Sequence, residues 1–187
     1  MSEGPEPGRD SRPKDAVSPR DAGDFPNIQP DHDKSAEVAD AAGDSGYEAR
    51  APDGRPAGDT YALYRRGMDM LTRGSPAAAV QLLERAAKAE PLSRSILEAL
   101  ARAQFDAGSY AAAAGSFQRI VEASPSDDYA QFGLGLSLAR TGDHGGAAEH
   151  LALAAAMRPN LRHYTDALRS VRATLRARSE LRDSADS

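Results

Sequence analysis

The residues best suited to chemistry lie close together in the stretch TGDHGGAAEH, residues 141 to 150. This stretch pairs Asp143 with His144 and Glu149 with His150, and two glycines lie between the pairs. Histidine and carboxylate side chains could bind a metal ion, and the glycines could let the backbone cradle a phosphate group. The third possibility is a turn between two helices, in which these side chains serve no reaction.

The spacing disfavours both chemical interpretations. His144 and His150 are six residues apart, which is about 240° around a helix, so they cannot share a metal ion as an i, i+4 pair does. His163 lies on the next predicted helix, and His32 lies far upstream. The glycines lack the GxxxxGK[ST] spacing and the lysine of a phosphate-binding loop.

The rest of the chain offers no other reactive set. Cysteine is absent, which excludes disulfides, thiolate zinc sites and cysteine nucleophiles. No GxSxG nucleophile signature occurs. We therefore predict that the protein is not an enzyme, and that it has no catalytic, metal-binding or cofactor-binding residues.

Composition favours a helical protein. Of the 187 residues, 40% are hydrophobic but only 5% are aromatic, so a core must be built from alanine and leucine, which suits closely packed helices better than a sheet. The net charge of −5 does not suit nucleic acid. No segment approaches the roughly 20 apolar residues of a membrane span, and no secretory signal opens the chain. We expect a soluble, cytoplasmic protein.

Residues 1–59 differ from the rest of the chain. They are rich in Pro, Gly, Asp and Ser, and they carry 7 Lys and Arg against 14 Asp and Glu, a net charge of −7. Their few large apolar residues are widely spread, so we predict a disordered acidic N-terminal arm. The motif DFPNIQP is the exception, because Phe25 and Ile28 could anchor on a partner.

From residue 60 the sequence repeats itself every 34 residues. Six columns of small, apolar or turn-forming residues keep this spacing over three units. The columns are Gly67/Ala101/Gly135, Gly74/Gly108/Gly142, Ala79/Ala113/Ala147, Leu83/Phe117/Leu151, Ala86/Ile120/Ala154 and Pro91/Pro125/Pro159.

Each column has a physical role in a pair of helices. The small residues allow close crossing of the two helices, and the large apolar column fills the space between them. The glycines at 74, 108 and 142 suit a left-handed helix end, and the prolines stop each second helix. Ser75, Ser109 and Asp143 follow the glycines and are predicted N-caps of the second helices, with Pro76 in a first turn.

These columns resemble the tetratricopeptide repeat family over residues 60–161. The resemblance implies an all-α fold, in which three antiparallel helix pairs form a right-handed superhelix. The predicted repeats cover about 60–93, 94–127 and 128–161. A capping helix at 162–178 completes a domain of residues 60–178, and 179–187 form a C-terminal tail.

The capping helix is predicted from one apolar stripe. Tyr164, Leu168, Val171 and Leu175 recur at helical spacing, and such a cap covers the last repeat of an array. Arg169 stands where the earlier units have Gly or Ala, and its bulk argues against a further packed helix.

The resemblance places the first helix of each unit on the concave face and implies a non-catalytic scaffold or adaptor that binds a peptide or protein segment there. The alternative for the aromatic members is that they pack between neighbouring first helices. The predicted partner-binding residues are Tyr61, Tyr64, Met68, Arg102, Phe105, Tyr129, Phe132, Leu136 and Arg140.

Family members that bind acidic C-terminal tails use a clamp of Lys, Asn and Arg on this face. The matching positions here hold no such residue, so a ligand of that type is not expected. These positions are Tyr64, Met68, Ala99, Tyr129 and Gly133.

A second function class remains open. Segment 158–182 carries 7 Arg against 2 acidic residues, a net charge of +5. Its arginines could bind an acidic protein segment, the chain's own arm or, less well, nucleic acid; otherwise they form a solvated outer face. Four of them fall within about 80° of the helix circumference, and these are Arg162, Arg169, Arg172 and Arg176.

Overall fold

A computed structural model describes residues 57–186, and within that range the chain forms helices and turns but no strand. The predicted disordered arm, apart from its last three residues, lies outside the described residues. The helices are α1 (Ala57–Thr72), α2 (Pro76–Ala89), α3 (Arg94–Asp106), α4 (Tyr110–Ala123), α5 (Asp128–Thr141), α6 (His144–Met157) and α7 (Arg162–Ala185).

The packing of these helices confirms the predicted all-α array. Each helix packs mainly on its neighbours along the chain, as in stacked helix pairs. The first helices of the pairs, α1, α3 and α5, also contact one another in order, and α5 contacts α7. The second helices, α2, α4 and α6, do not contact one another. The array is therefore curved, with α1, α3, α5 and α7 on its inner side.

The short turn inside each pair depends on a glycine. Gly74, Gly108 and Gly142 have φ angles of 71°, 78° and 93°, a left-handed conformation that side chains beyond glycine rarely adopt. This confirms the role predicted for that column.

The N-cap predictions hold only in part. Asp143 accepts a hydrogen bond from the Gly146 amide at 3.0 Å, as predicted. Ser75 and Ser109 occupy the N-cap positions of α2 and α4, but neither side chain makes a capping hydrogen bond. Asp127, which the repeat columns did not single out, caps α5 by accepting from the Ala130 amide.

The small columns lie where the two helices of each pair cross. A Cβ atom on Gly67 would come within 2.6 Å of Leu83, and one on Gly135 within 2.7 Å of Leu151. Ala79, Ala113 and Ala147 are fully buried. The predicted alternation of small and large residues therefore sets the spacing within each pair.

The terminal helices extend past their predicted ends. α1 begins at Ala57 rather than residue 60, and α7 continues to Ala185 rather than ending at 178. Nothing in the sequence beyond Arg178 breaks a helix until the chain reaches Ser184–Ser187, since no Gly or Pro occurs there. The first half of α7 covers the last pair: Tyr164 and Val171 are buried, and Leu168 and Leu175 pack against the same core.

Candidate binding surface

Phe132 is the most enclosed of the predicted binding residues. Only 2% of its surface is exposed. The next inner helix, α7, stacks Tyr164 on it with ring centroids 4.4 Å apart and sets His163 edge-on at 5.3 Å. The Tyr164 hydroxyl in turn donates to Asp128 Oδ2 at 3.0 Å. These contacts join α5 to α7, which is the packing role that the sequence left open as an alternative.

Phe105 and Arg140 meet at the other end of the inner helices. Phe105 is buried and packs edge-on against Tyr110, with centroids 5.1 Å apart. The Arg140 guanidinium lies 5.9 Å from the Phe105 ring and 5.3 Å from the Tyr110 ring, and it donates to the Tyr110 hydroxyl at 3.4 Å. Arg140 thus ties the third repeat to the second by cation–π contact.

Tyr129 of α5 and Arg102 of α3 are two further predicted binding residues. Tyr129 is buried, and its ring meets Phe117 edge-on at 6.2 Å. Burial, and then the nearby Glu98 carboxylate, raise the pKa of the Tyr129 hydroxyl, so it stays protonated. Arg102 is half-buried and lies 3.8 Å from Asp106. Tyr129 is therefore a packing residue, whereas Arg102 keeps part of its side chain in solvent.

The remaining predicted residues are more accessible. Tyr61 is 62% exposed, and Tyr64 is half-buried against the core of the first two repeats. Met68 packs on that same core, and Leu136 packs on the core of the later repeats, each with part of its side chain in solvent. The inner face therefore offers apolar surface mainly at its α1 end.

An open pocket of about 400 Å³ lies at this end. Tyr61 and Tyr64 of α1 form one wall, and Ser95 and Ile96 of α3 form another. Its volume falls in the range of ligand pockets, about 300–1,000 Å³. The complete lining is Thr60, Tyr61, Tyr64, Glu90, Ser93, Ser95 and Ile96.

The 34-residue register explains why the pocket exists. Ser95 and Ile96 occupy the positions that His163 and Tyr164 occupy 68 residues later. The later pair covers Phe132, whereas the smaller earlier pair leaves space beside Tyr64, the counterpart of Phe132. The sequence signal for this difference is the column Ser95, Tyr129 and His163, whose members differ in size.

Charged groups of both signs lie at or near the pocket. Burial, and then the charge of Glu98, raise the pKa of the Tyr64 hydroxyl. Glu90 lines the pocket, and Glu98 lies 3.5 Å from Arg94. Leu92, in the turn between Glu90 and Ser93, is 93% exposed. Tyrosine and isoleucine side chains form much of the pocket lining, so the pocket suits an apolar or aromatic side chain.

The arginines of the alternative surface all lie exposed on α7, namely Arg162, Arg169, Arg172 and Arg176. Arg169 donates to Asp166 at 2.7 Å, which partly neutralises it. Arg158, just before the helix, lies 3.4 Å from Asp128. Two arginines of this segment are therefore already paired with carboxylates of the same chain.

Both histidines of the 141–150 stretch have polar contacts within the fold. His144 Nδ1 lies 2.7 Å from the Gly142 carbonyl oxygen and 3.1 Å from Arg178 Nη1. His150 Nδ1 lies 2.7 Å from Gln131 Oε1. In residues 57–186, no group of three or more His, Asp or Glu side chains is placed to hold a metal ion. Nor does any helix in that range combine the length and hydropathy needed to cross a membrane.

Comparison with known sequences identifies the repeat independently. A family profile described as "Tetratricopeptide repeat" matches residues 64–128 and 99–161, which together span more than half of the chain. A comparison with curated proteins gives no significant match.

Several solved structures share the fold at low sequence identity. The first TPR domain of Spaghetti (RPAP3), bound to the HSP90 peptide SRMEEVD, is 18% identical with a TM-score of 0.59, covering 64% of this chain and 94% of that one. MamA is 20% identical, with a TM-score of 0.60 and coverage of 65% and 71%. The Sgt2 TPR domain from Aspergillus fumigatus is 19% identical, with a TM-score of 0.60 and coverage of 73% and 88%.

Proposed function

The chain belongs to the tetratricopeptide repeat family, and on that premise we propose that it is a non-catalytic adaptor that binds an extended peptide segment on its inner face. The pocket between α1 and α3 carries the proposal, because it combines open volume with the most exposed aromatic side chain of the described residues. Tyrosine is enriched among the residues that dominate binding energy. The cytoplasmic location expected from the sequence stays a prediction.

The chemistry of the pocket defines the ligand class. A C-terminal carboxylate in the pocket would lie near Glu90 and Glu98. The family's clamp cations are replaced by Tyr64 and Met68, and Arg94 is already paired with Glu98 and Asp127. Repulsion between like charges opposes that ligand. An apolar or aromatic side chain on an uncharged extended segment fits the tyrosines and Ile96. Backbone amides of that segment can donate hydrogen bonds to the Glu90 carboxylate.

A pocket-filling substitution tests this proposal. Peptides selected from a random display library against the full chain would be measured by fluorescence anisotropy. Ser95→Tyr adds a ring at the position where His163 covers Phe132, so we expect at least about tenfold weaker binding, or about 1.4 kcal/mol. Ala111→Tyr adds the same ring to an exposed position on α4 and is the matched control.

The outcome decides between surfaces. Weaker binding by Ser95→Tyr alone supports the pocket, provided that both variants keep the helical circular dichroism of the parent. Equal binding by the parent and both variants would show that selected peptides use another part of the protein.

The second candidate function is binding of an acidic segment to α7. The cluster of four exposed arginines favours it. Charge reversal at Arg169, Arg172 and Arg176 should then abolish binding of a poly-glutamate probe. Binding of the probe to the parent should also weaken steeply between about 50 and 200 mM salt, because salt screens exposed charges. A flat salt response would eliminate this candidate.

A further inference from the structure

One turn of the array carries a large apolar residue that the fold leaves uncovered. Leu92, in the turn between α2 and α3, is 93% exposed. The same position of the repeat holds Ser126 in the turn before α5 and Asn160 in the turn before α7. Single exposed leucines are common on protein surfaces, so the neighbours of Leu92 decide whether it has a role.

The neighbours of Leu92 line the open pocket. Glu90 and Ser93, which lie on either side of it in the turn, are both lining residues. Consecutive Cα atoms lie about 3.8 Å apart, so the backbone of Leu92 lies at the edge of the pocket. Tyr61, which is 62% exposed, lines the same pocket from α1. Two strongly exposed apolar side chains therefore belong to one opening.

The turn holds Leu92 in a defined position. The Ser93 amide donates a hydrogen bond to the Glu90 carbonyl oxygen at 3.2 Å. The Arg119 guanidinium of α4 donates to the Pro91 carbonyl oxygen at 2.7 Å, and the ring of Pro91 restricts its own φ angle. A contact residue on a braced backbone loses less conformational entropy when a ligand covers it than one on a loose loop.

We propose that the peptide segment bound by this protein carries two large apolar side chains, one that enters the pocket and a second that covers Leu92. The first packs among Tyr61, Tyr64 and Ile96. The second removes water from a leucine that is almost fully exposed. The inference rests on the proposed function of this pocket and adds a requirement on the ligand, which is the pair of apolar residues.

Continuity with the pocket is the reason to assign a peptide to this surface. The pocket, about 400 Å³ in volume, has room for a large side chain, and Leu92 directly precedes the lining residue Ser93. A segment with its first side chain in the pocket can therefore extend over the turn. The second contact then adds affinity at a small further cost in entropy, because the first has already fixed the position of the ligand.

Substitution of Leu92 tests the inference on the full chain. Peptides selected from a random display library against the parent would be synthesised with each residue changed in turn to alanine and measured by fluorescence anisotropy. We expect two apolar positions in each peptide at which alanine weakens binding at least about tenfold. Leu92→Ser should weaken binding of the unchanged peptide at least about fivefold, and should preserve the fold because the side chain that it removes is exposed.

Combining the two kinds of change locates the second apolar residue of the ligand. Alanine at that position should weaken binding to Leu92→Ser by less than about twofold, because its contact is already absent, whereas alanine at the first position should keep its full effect. Leu153→Ser and Leu181→Ser remove exposed leucines of α6 and α7 and are the matched controls. Both controls should bind the peptide as the parent does.

The outcomes separate the inference from the function on which it rests. Weaker binding by Ser95→Tyr, with parent affinity in Leu92→Ser, would overturn the apolar pair and leave the pocket as the binding site. Parent affinity in both variants would overturn both proposals. Equal losses in Leu92→Ser, Leu153→Ser and Leu181→Ser would also overturn the pair, because the effect would not be specific to the turn. A dimer in sedimentation that Leu92→Ser abolishes would assign Leu92 to a contact between two copies.

Discussion

Tyr64 and Phe132 occupy the same position of the repeat in α1 and α5, but one borders an open pocket and the other is sealed. Over Phe132, α7 places His163 and Tyr164. Over Tyr64, α3 places Ser95 and Ile96, which leave about 400 Å³ open. The position in the repeat fixes which side of the array a residue faces, and the residues of the next inner helix fix whether it can meet a ligand.

Truncation of the sealed ring should have the largest effect. Phe132→Ala removes a ring that is 2% exposed, and we expect a loss of about 3–5 kcal/mol in the free energy of unfolding. Tyr61→Ala, at 62% exposure, should change it by no more than about 0.5 kcal/mol. Urea unfolding followed by circular dichroism measures both losses. Similar losses would contradict the contrast between a sealed Phe132 and an open pocket at α1.

A methyl group at a closed helix contact should cost less. A Cβ atom on Gly133 would lie 2.4 Å from the Phe117 ring, so Gly133→Ala should destabilise by about 1–3 kcal/mol through overpacking. Gly115→Ala in α4 meets nothing within 4 Å and should stabilise the helix by up to about 1 kcal/mol. Stabilisation by both substitutions would mean that the α4–α5 contact is looser than described.

Removal of the Tyr164 hydroxyl tests the hydrogen bond that accompanies the stacking of Tyr164 on Phe132. Tyr164→Phe deletes the 3.0 Å bond to Asp128 and should cost about 1.5 kcal/mol, as for hydrogen bonds to charged groups. The same change at the exposed Tyr61 should have no measurable effect on urea unfolding. If Tyr164→Phe is equally silent, stacking alone joins α7 to α5.

The smallest effect should be a pH dependence from His163. Burial lowers the pKa of His163, and Asp166 opposes this only in part. As pH falls through the unfolded value near 6.5, the unfolded state takes up the proton first, so stability falls until the folded pKa is passed. Tm should be measured at about one pH unit above and one below that value, near pH 7.5 and pH 5.5. The drop in Tm between them should be smaller in His163→Phe than in the parent. An unchanged drop would assign it to other groups.

Much of the fold could be predicted because each repeat packs in the same way and therefore needs similar residues at the same positions. The glycine, alanine and proline columns predicted the turns, crossings and helix ends, and the structure confirms their roles. Ser75 and Ser109 occupy the predicted N-cap positions, but the capping hydrogen bonds expected of their side chains are absent.

The site was harder to predict. Exposure at Tyr64 or Phe132 depends on side chains about 30 residues away, on the next inner helix. The column that joins Ser95, Tyr129 and His163 varies in size, so it does not stand out in a search for repeated residue types. The repeat pattern therefore predicts which residues face inward, whereas the open end depends on packing between inner helices.

Site-specific cross-linking tests the central claim most directly. A benzophenone amino acid would replace Tyr61 at the pocket in one variant and Leu153, an exposed leucine of α6, in another. The selected peptide should cross-link on irradiation to the variant labelled at position 61, and excess unlabelled peptide should suppress this product. Cross-linking of equal yield from position 153, or none from position 61, would contradict binding at the α1–α3 pocket.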